Sequence, residues 1–275
     1  MFRIGWIDYA NCSPLLLQLE GQLPIDTTEI VHGVPAELNA RLAEGTIDVC
    51  ISSSIEFARH ADEYLILPGH CIGSRGPVQS VLLFSRCPVE TLAGERLLVT
   101  SESATSVALL QVLLSKHWNL SGYSLQATSD PWRDALQQAS ALLLIGDRAL
   151  QAASMNSDYH VYDLGLEWRL LTGLPFVYAL WQINRKTAQG KEVALRNFIR
   201  LLDQARGRIV PDAHLLAAQA AEAQWLGTER LADYWRNAIT YQFDKDHLKG
   251  LEQFYRFAAE LSLIPADPEL HFYPL

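Results

Sequence analysis

From residue 2 to residue 185, short aliphatic runs alternate with longer stretches whose apolar residues recur every three or four positions. The short runs, bounded by Gly, Pro, Asn or Ser, predict buried β-strands, and the longer stretches predict amphipathic helices. Residues 2–7 read as a first strand, and 14–21 as a helix opened by Pro14, a favoured first helical position. Strand 28–34 is followed by helix 35–45, with Leu38 and Leu42 on one face and Gly45 at its close. Strand 47–53 and helix 54–61 come next, then strands at 64–69 and 78–85. This stretch predicts a β-α-β-α-β unit with a parallel sheet.

Residues 86–96 are polar and carry Pro88 and Gly94, the composition of a crossing into a second unit. There the alternation repeats: strand 97–101, helix 104–118, strand 123–128, helix 130–139 and strand 141–147, with 173–185 as a returning strand. The remainder reads as helical, roughly 187–206, 211–226, 228–240 and 244–263. The expected architecture is α/β and two-lobed. One lobe comprises 1–87 plus 182–275, including the helical C-terminal region, and the other comprises 88–181. A ligand belongs in the inter-lobe cleft, with hinge closure around it. The last residues, 265–275, pack on the helical end or dock a neighbour; the pattern does not choose.

A net charge of −9 changes the picture by exclusion: no basic stripe is present to follow a nucleic acid. An anionic ligand must be held by local dipoles and hydroxyls rather than by the protein's overall field. Cys12, Cys50, Cys71 and Cys87 form no CxxC and suit neither zinc nor a disulfide framework. No apolar run approaches membrane-spanning length, and the first residues enter a strand directly. A soluble cytoplasmic protein is expected, without membrane or nucleic-acid partners, as a monomer or homodimer. GxGxxG, GxxxxGK[ST] and HExxH are absent, so no metal or nucleotide cofactor is expected.

Candidate chemistry gathers at strand-to-helix turns, where open parallel sheets place their ligands. Asn11 follows the first strand as a turn residue or as a carboxamide on the cleft floor. Cys12 beside it reads as a small buried hydrophobe. Ser52, Ser53 and Ser54 open one helix; Ser101, Ser103, Thr105 and Ser106 open its counterpart in the second unit. Each cluster alone fits a helix cap, Ser53 with Glu56 making a capping box. The same polar turn in both units suggests two facing helix N-termini able to hold two carboxylates. Gly76, Gln79 and Ser80 lie in a glycine-containing segment that allows close backbone approach, beside Arg75, which reads as solvated. Asp147 ends the run ALLLIG and either caps the helix starting at Arg148 or faces the cleft.

Taken in order, IGWIDYANCSPL, VPAELNARLAEGTIDVCISSSIEFA, LPGHCIGSRGPVQSVLLFS, LIGDRAL and YDLGLEWRLLTGLPFVYALW resemble the menaquinone-biosynthesis family of the futalosine pathway. The resemblance runs from residue 4 to about 181 and resumes weakly at 241–263. It implies a type-2 periplasmic-binding-protein fold. Two enzymes share that fold, a chorismate dehydratase and a 1,4-dihydroxy-6-naphthoate synthase; Gly146-Asp147 resembles the dehydratase, where the synthase has a His-Glu pair. The resemblance also implies that Asn11 and Ser80 sit beside the reacting carbons, with Asp147 at the cleft as a third catalytic candidate. Ser53, Ser54, Gly76, Gln79, Ser101, Thr105 and Ser106 are the candidates for substrate binding. The implied small-molecule substrate is chorismate, with no cofactor. A non-catalytic binder of a small dicarboxylate stays open. Ala10 stands where the family pattern has a larger apolar residue.

Overall fold

The computed structural model describes residues 1–155 and 158–274. The first elements are β1 (Phe2–Ile7), α1 (Ser13–Leu19), β2 (Thr28–Gly33), α2 (Pro35–Ala43), β3 (Val49–Ser53), α3 (Ser54–Arg59) and β4 (Tyr64–Ser74). The chain continues through β5 (Val81–Ser85), β6 (Arg96–Thr100), α4 (Ala104–Lys116), β7 (Ser124–Thr128) and α5 (Trp132–Gln138). After β8 (Ala141–Ile145) come α6 (Gly146–Met155), β9 (His160–Asp163), α7 (Leu164–Thr172) and β10 (Phe176–Asn184). The C-terminal region holds α8 (Glu192–Gln219), α9 (Ala223–Leu226), α10 (Thr228–Asp233), a π-turn (Tyr234–Ala238), β11 (Thr240–Gln242) and α11 (Lys245–Glu260).

The strands form two sheets, one ordered β11-β4-β10-β3-β1-β2 and the other β7-β6-β8-β5-β9. Each sheet anchors one lobe. In the first, β2 and β3 flank β1 in parallel, with Ile4 opposite Ile30 and Val49. The returning strand β10 is inserted antiparallel between β3 and β4 and is buried along its whole length. The sheet is therefore mixed, not parallel as the hydrophobic pattern suggested. An unbroken apolar run reports burial on both faces and carries no information about strand direction.

The crossings also fall elsewhere than expected. Val81–Ser85 pairs with β8 and β9 in the second sheet, and Phe176–Asn184 belongs to the first. The chain thus changes lobe between Ser74 and Val81 and again after Asp163, not at 87/88 and 181/182. Short β9, helix α7 and strand β11 went unread; β9 and β11 are brief and pair with strands far away in sequence. Helix α8 runs through Pro211 where a break was expected. Leu202, Ala205, Ile209, Ala213 and Leu216 keep one buried face continuous, and the exposed Pro211 leaves the carbonyl it deprives of a partner on the solvent side.

The main core spans both lobes, and a second cluster covers the outer face of the second sheet. The alternation along β5 and β8 divides them: Leu83 and Leu143 face the main core, whereas Leu82, Phe84, Leu142 and Leu144 face the outer cluster. α11 lies so close to the lead-in of β10 that a Cβ on Gly250 would stand 2.1 Å from the Pro175 carbonyl oxygen. The tail settles on the first sheet, where Ile66 donates to the His271 carbonyl and accepts from Tyr273 N–H, both at 2.8 Å. Among the described residues no helix is long and apolar enough to cross a membrane.

Candidate active site

The cleft between the sheets is a narrow space, part of it continuous with solvent. Its polar lining comes from the turns after β1, β3 and β6 and from the start of β5: Asn11, Ser53, Ser103, Ser106 and Ser80. Ile7, Ile72, Val78, Val81, Ile145 and Ile239 make an apolar frame. Tyr9 and Tyr178 also line it. Among the described residues the lining contains no Asp, Glu, His, Lys or Arg. An apolar surface groove at Phe2, Leu23, Val193 and Leu201 is larger, about 820 Å³. It meets none of the motif residues, and its Lys191 is paired with Asp48 at 2.8 Å.

The turn after β1 is held from several sides. Ala10, fully buried, donates its N–H to Asp147 Oδ1 at 2.9 Å and accepts from Trp235 Nε1 at 2.6 Å. The Asn11 carbonyl accepts from the Tyr241 hydroxyl at 2.9 Å. With the backbone fixed, the Asn11 side chain is free for the cleft: its Oδ1 is buried and has no hydrogen-bond partner among the described residues. An unpaired buried amide oxygen is costly unless a ligand or water pairs with it. Cys12 is buried next to it, and burial, then the nearby Asp147 and Asp8, push its thiol well above the usual range. It is a neutral wall residue.

Ser80, nearly fully buried at the start of β5, accepts a hydrogen bond from the Tyr234 hydroxyl at 2.8 Å. Just before it, Asp163 receives the N–H groups of Val78 and Gln79 at 3.0 and 2.6 Å while also capping α7. That bond holds Gln79 at a φ of 62°, a left-handed conformation that non-glycine residues rarely adopt. Gln79 does not line the cleft, nor does Gly76. The Gly76 carbonyl instead packs against Gly165, where an added Cβ would come within 2.5 Å of it. Arg75 pairs with Asp244 at the start of α11 and stays outside the cleft.

The serine clusters divide. Ser53 faces the cleft with no capping bond, so the expected capping box with Glu56 does not form. Thr105, reaching across from α4, takes the N–H of Ile55 at 3.1 Å in its place. Ser54 turns away and donates to the Val177 carbonyl at 2.8 Å; Ser52 donates to Asn39 Oδ1 at 2.5 Å. In the second lobe Ser103 caps α4 by accepting from Ser106 N–H at 3.2 Å, and both residues line the cleft. Ser101 is exposed and lines a different surface groove. Of the candidate binders, the cleft therefore gathers Ser53 and Ser106 but not Ser54, Gly76, Gln79, Ser101 or Thr105.

Asp147 needs a correction of its own. It neither caps the following helix nor lines the cleft. The helix begins one residue earlier at Gly146, whose φ of 56° makes the sharp turn out of β8. A Cβ there would meet the Tyr9 ring at 3.2 Å, so glycine also admits Tyr9 to the wall. The Asp147 carboxylate braces the Ala10 amide from the opposite lobe. Burial, and secondarily the charge of Glu222, raise it from 3.8 to about 6, although the Ala10 bond pulls the other way. Tyr9 makes a parallel link by donating to Glu102 Oε2 at 2.9 Å.

Tyr9, Tyr178, Tyr234, Trp235 and Tyr241 were not anticipated as site residues. Tyr9 had a signal, an aromatic beside Asn11 in DYANC. The C-terminal three had none, because helical periodicity in the tail says nothing about which lobe it touches.

Compared with known proteins, residues 2–260 match the family model described as menaquinone biosynthesis. The chain belongs to the menaquinone-biosynthesis family. A chorismate dehydratase of Thermus thermophilus is 31% identical over 291 residues, covering 99% of this chain and 98% of that protein. A second one, from Campylobacter jejuni, is 29% identical over 194 residues, covering 69% and 70%. Among solved structures, the periplasmic aliphatic sulphonate-binding protein of Escherichia coli superposes with a TM-score of 0.72 at 17% identity, covering 100% of this chain and 92% of that one. A Candida albicans protein described as having the generic periplasmic-binding-protein fold gives 0.68 at 11% identity, covering 100% and 98%. This menaquinone-biosynthesis protein thus has the periplasmic-binding-protein fold.

Proposed function

We propose that this chain is a chorismate dehydratase, removing water from chorismate to give 3-[(1-carboxyvinyl)oxy]benzoate at the entry to the futalosine route. The end-to-end match to the Thermus thermophilus protein of that name carries the reading. The cleft supports it chemically. Chorismate is a dianion with a ring carboxylate and an enolpyruvyl carboxylate. Elimination removes the C3 proton and the C4 hydroxyl and leaves an aromatic ring, which supplies the driving force.

The ring carboxylate, conjugated through the diene, gathers charge as the C3 proton leaves. Donors that strengthen with that charge lower the barrier. Ser53 and Ser106 are placed to provide them, Ser106 in the first turn of α4, where helix N–H groups favour an anion. Asn11 Oδ1, the unpaired acceptor, takes a hydrogen bond from the reacting hydroxyl and orients it. Ser80 binds the same group from the other lobe. A lining without an ionised side chain leaves the C3 proton to a bound water or to one of the substrate's own carboxylates. Asp147 holds the Asn11 turn instead of moving the proton. Four free cysteines and biosynthetic chemistry support a cytoplasmic setting.

The test is purified protein with chorismate, without added metal or nucleotide, the product identified by mass and NMR. Formation of 3-[(1-carboxyvinyl)oxy]benzoate with loss of one water is expected. Chorismate bound but unchanged would make the protein a receptor and overturn the enzymatic reading. Absence of binding, with turnover of cyclic dehypoxanthine futalosine, would move it to the sister synthase.

A further inference from the structure

One short segment of the C-terminal region touches both halves of the candidate site. The π-turn Tyr234–Ala238 closes with a hydrogen bond from Ile239 N–H to the Tyr234 carbonyl, five residues back. Such turns insert one residue into a helix and are frequent at functional sites. From this turn and the strand after it, three buried side chains reach the cleft floor. Tyr234 donates to Ser80 Oγ at 2.8 Å, Trp235 to the Ala10 carbonyl at 2.6 Å, and Tyr241 to the Asn11 carbonyl at 2.9 Å. Ser80 immediately precedes a strand of the second sheet, and Ala10 and Asn11 follow a strand of the first. The segment therefore spans the two lobes at the point where their candidate catalytic groups meet.

A serine hydroxyl has one proton and two lone pairs. Tyr234 occupies one lone pair as donor, so the Ser80 proton needs an acceptor elsewhere. Among the described residues the only acceptor for it is the Val78 carbonyl, at a long 3.4 Å. The other direction is the cleft, which Ser80 lines. We propose that Tyr234 is a positioning residue that turns the Ser80 hydroxyl into a donor toward a substrate oxygen, and that its π-turn braces Ser80 and Asn11 across the cleft. The inference rests on the dehydratase reading of the site. No proton changes owner in this arrangement: burial holds the Tyr234 phenol neutral, so it acts by orienting and polarising Ser80.

The test is steady-state turnover of chorismate by the full chain, by Tyr234→Phe, by Ser80→Ala and by the double variant, each checked for folding by thermal melting. Tyr234→Phe should lower kcat about 10- to 100-fold with KM within about threefold of wild type. In the Ser80→Ala background the same change should cost less than about twofold, because Tyr234 acts through Ser80. Full kcat in Tyr234→Phe, or an equal loss with and without Ser80, overturns the proposal. Where Ser80→Ala turns over too slowly to measure, the split between kcat and KM in Tyr234→Phe decides. If Tyr234→Phe does not fold, 3,5-difluorotyrosine at position 234 keeps the ring and strengthens the donor; an unchanged kcat then overturns the proposal and a changed one supports it. A wild type that leaves chorismate untouched brings down the dehydratase reading and this inference together. Wild-type turnover with an unaffected Tyr234→Phe brings down this inference alone.

Discussion

The serine-rich starts of α3 and α4 look alike in sequence and do different work in the fold. At α3 the three consecutive serines separate: Ser52 and Ser54 are consumed by Asn39 and the Val177 carbonyl, and only Ser53 keeps its hydroxyl for the cleft. At α4, Ser103 caps its own helix, Ser106 faces the cleft, and Thr105 crosses the lobe boundary to serve α3. A polar side chain at a helix start becomes a site residue only when the surrounding fold has left its hydrogen bond unspent. The same rule separates Asn11, whose amide oxygen is unpaired, from Asp147, whose carboxylate is committed to Ala10.

The largest effect expected from this division belongs to the free group with no substitute. Asn11→Ala should lower kcat about 10²- to 10³-fold while melting near the wild-type temperature; a small kcat effect would show that an unpaired group is not thereby a functional one. Next, Ser53→Ala and Ser106→Ala should each raise KM for chorismate about tenfold, the worth of a hydrogen bond to a charged group. Ser54→Ala should leave KM alone and lower stability by about 1 kcal/mol. Equal KM effects at Ser53 and Ser54 would erase the distinction between the two neighbours.

Thr105→Val should destabilise by about 1–2 kcal/mol in urea unfolding, because it strips the Thr105 acceptor from Ile55 N–H while keeping the shape of the side chain. A pH-dependent effect is expected at Asp147. Its carboxyl is raised from 3.8 to about 6 in the fold, so the folded state holds the proton more tightly than the unfolded chain. The stability this gives is complete below the unfolded value and lost as pH rises through about 6, a decline of about 1–2 kcal/mol after allowing for partial exposure. Asp147→Asn keeps an acceptor for Ala10 N–H and removes that decline. Unfolding free energies measured between about pH 4 and pH 8 should be flatter in the variant; an unchanged slope would assign the pH dependence to other groups.

Much of the architecture was legible because burial imprints a period on the chain. Phe2–Ile7 and most other strands and helices of the first 145 residues appear at or near their predicted places. The family was legible from long ordered motifs, and with it the two-lobed fold. Sheet membership was not: VLLFS is apolar on both faces in whichever sheet it joins. Nor could the sequence sort the serines, since every one of them fits a helix start equally well.

What the sequence by itself determined was the alternation of strands and helices, the net charge of −9, and the set of polar turns from which the site is drawn. The tertiary structure alone decided which members of that set are available. Ser54, Thr105 and Asp147 are satisfied by Val177, Ile55 and Ala10, partners 123, 50 and 137 residues away, and Ser80 receives its phenol donor from 154 residues downstream. Local pattern records whether a residue is buried and on which face. Hydrogen-bond partners at such separations are set by how the two sheets and the C-terminal helices come together, and periodicity carries no trace of that.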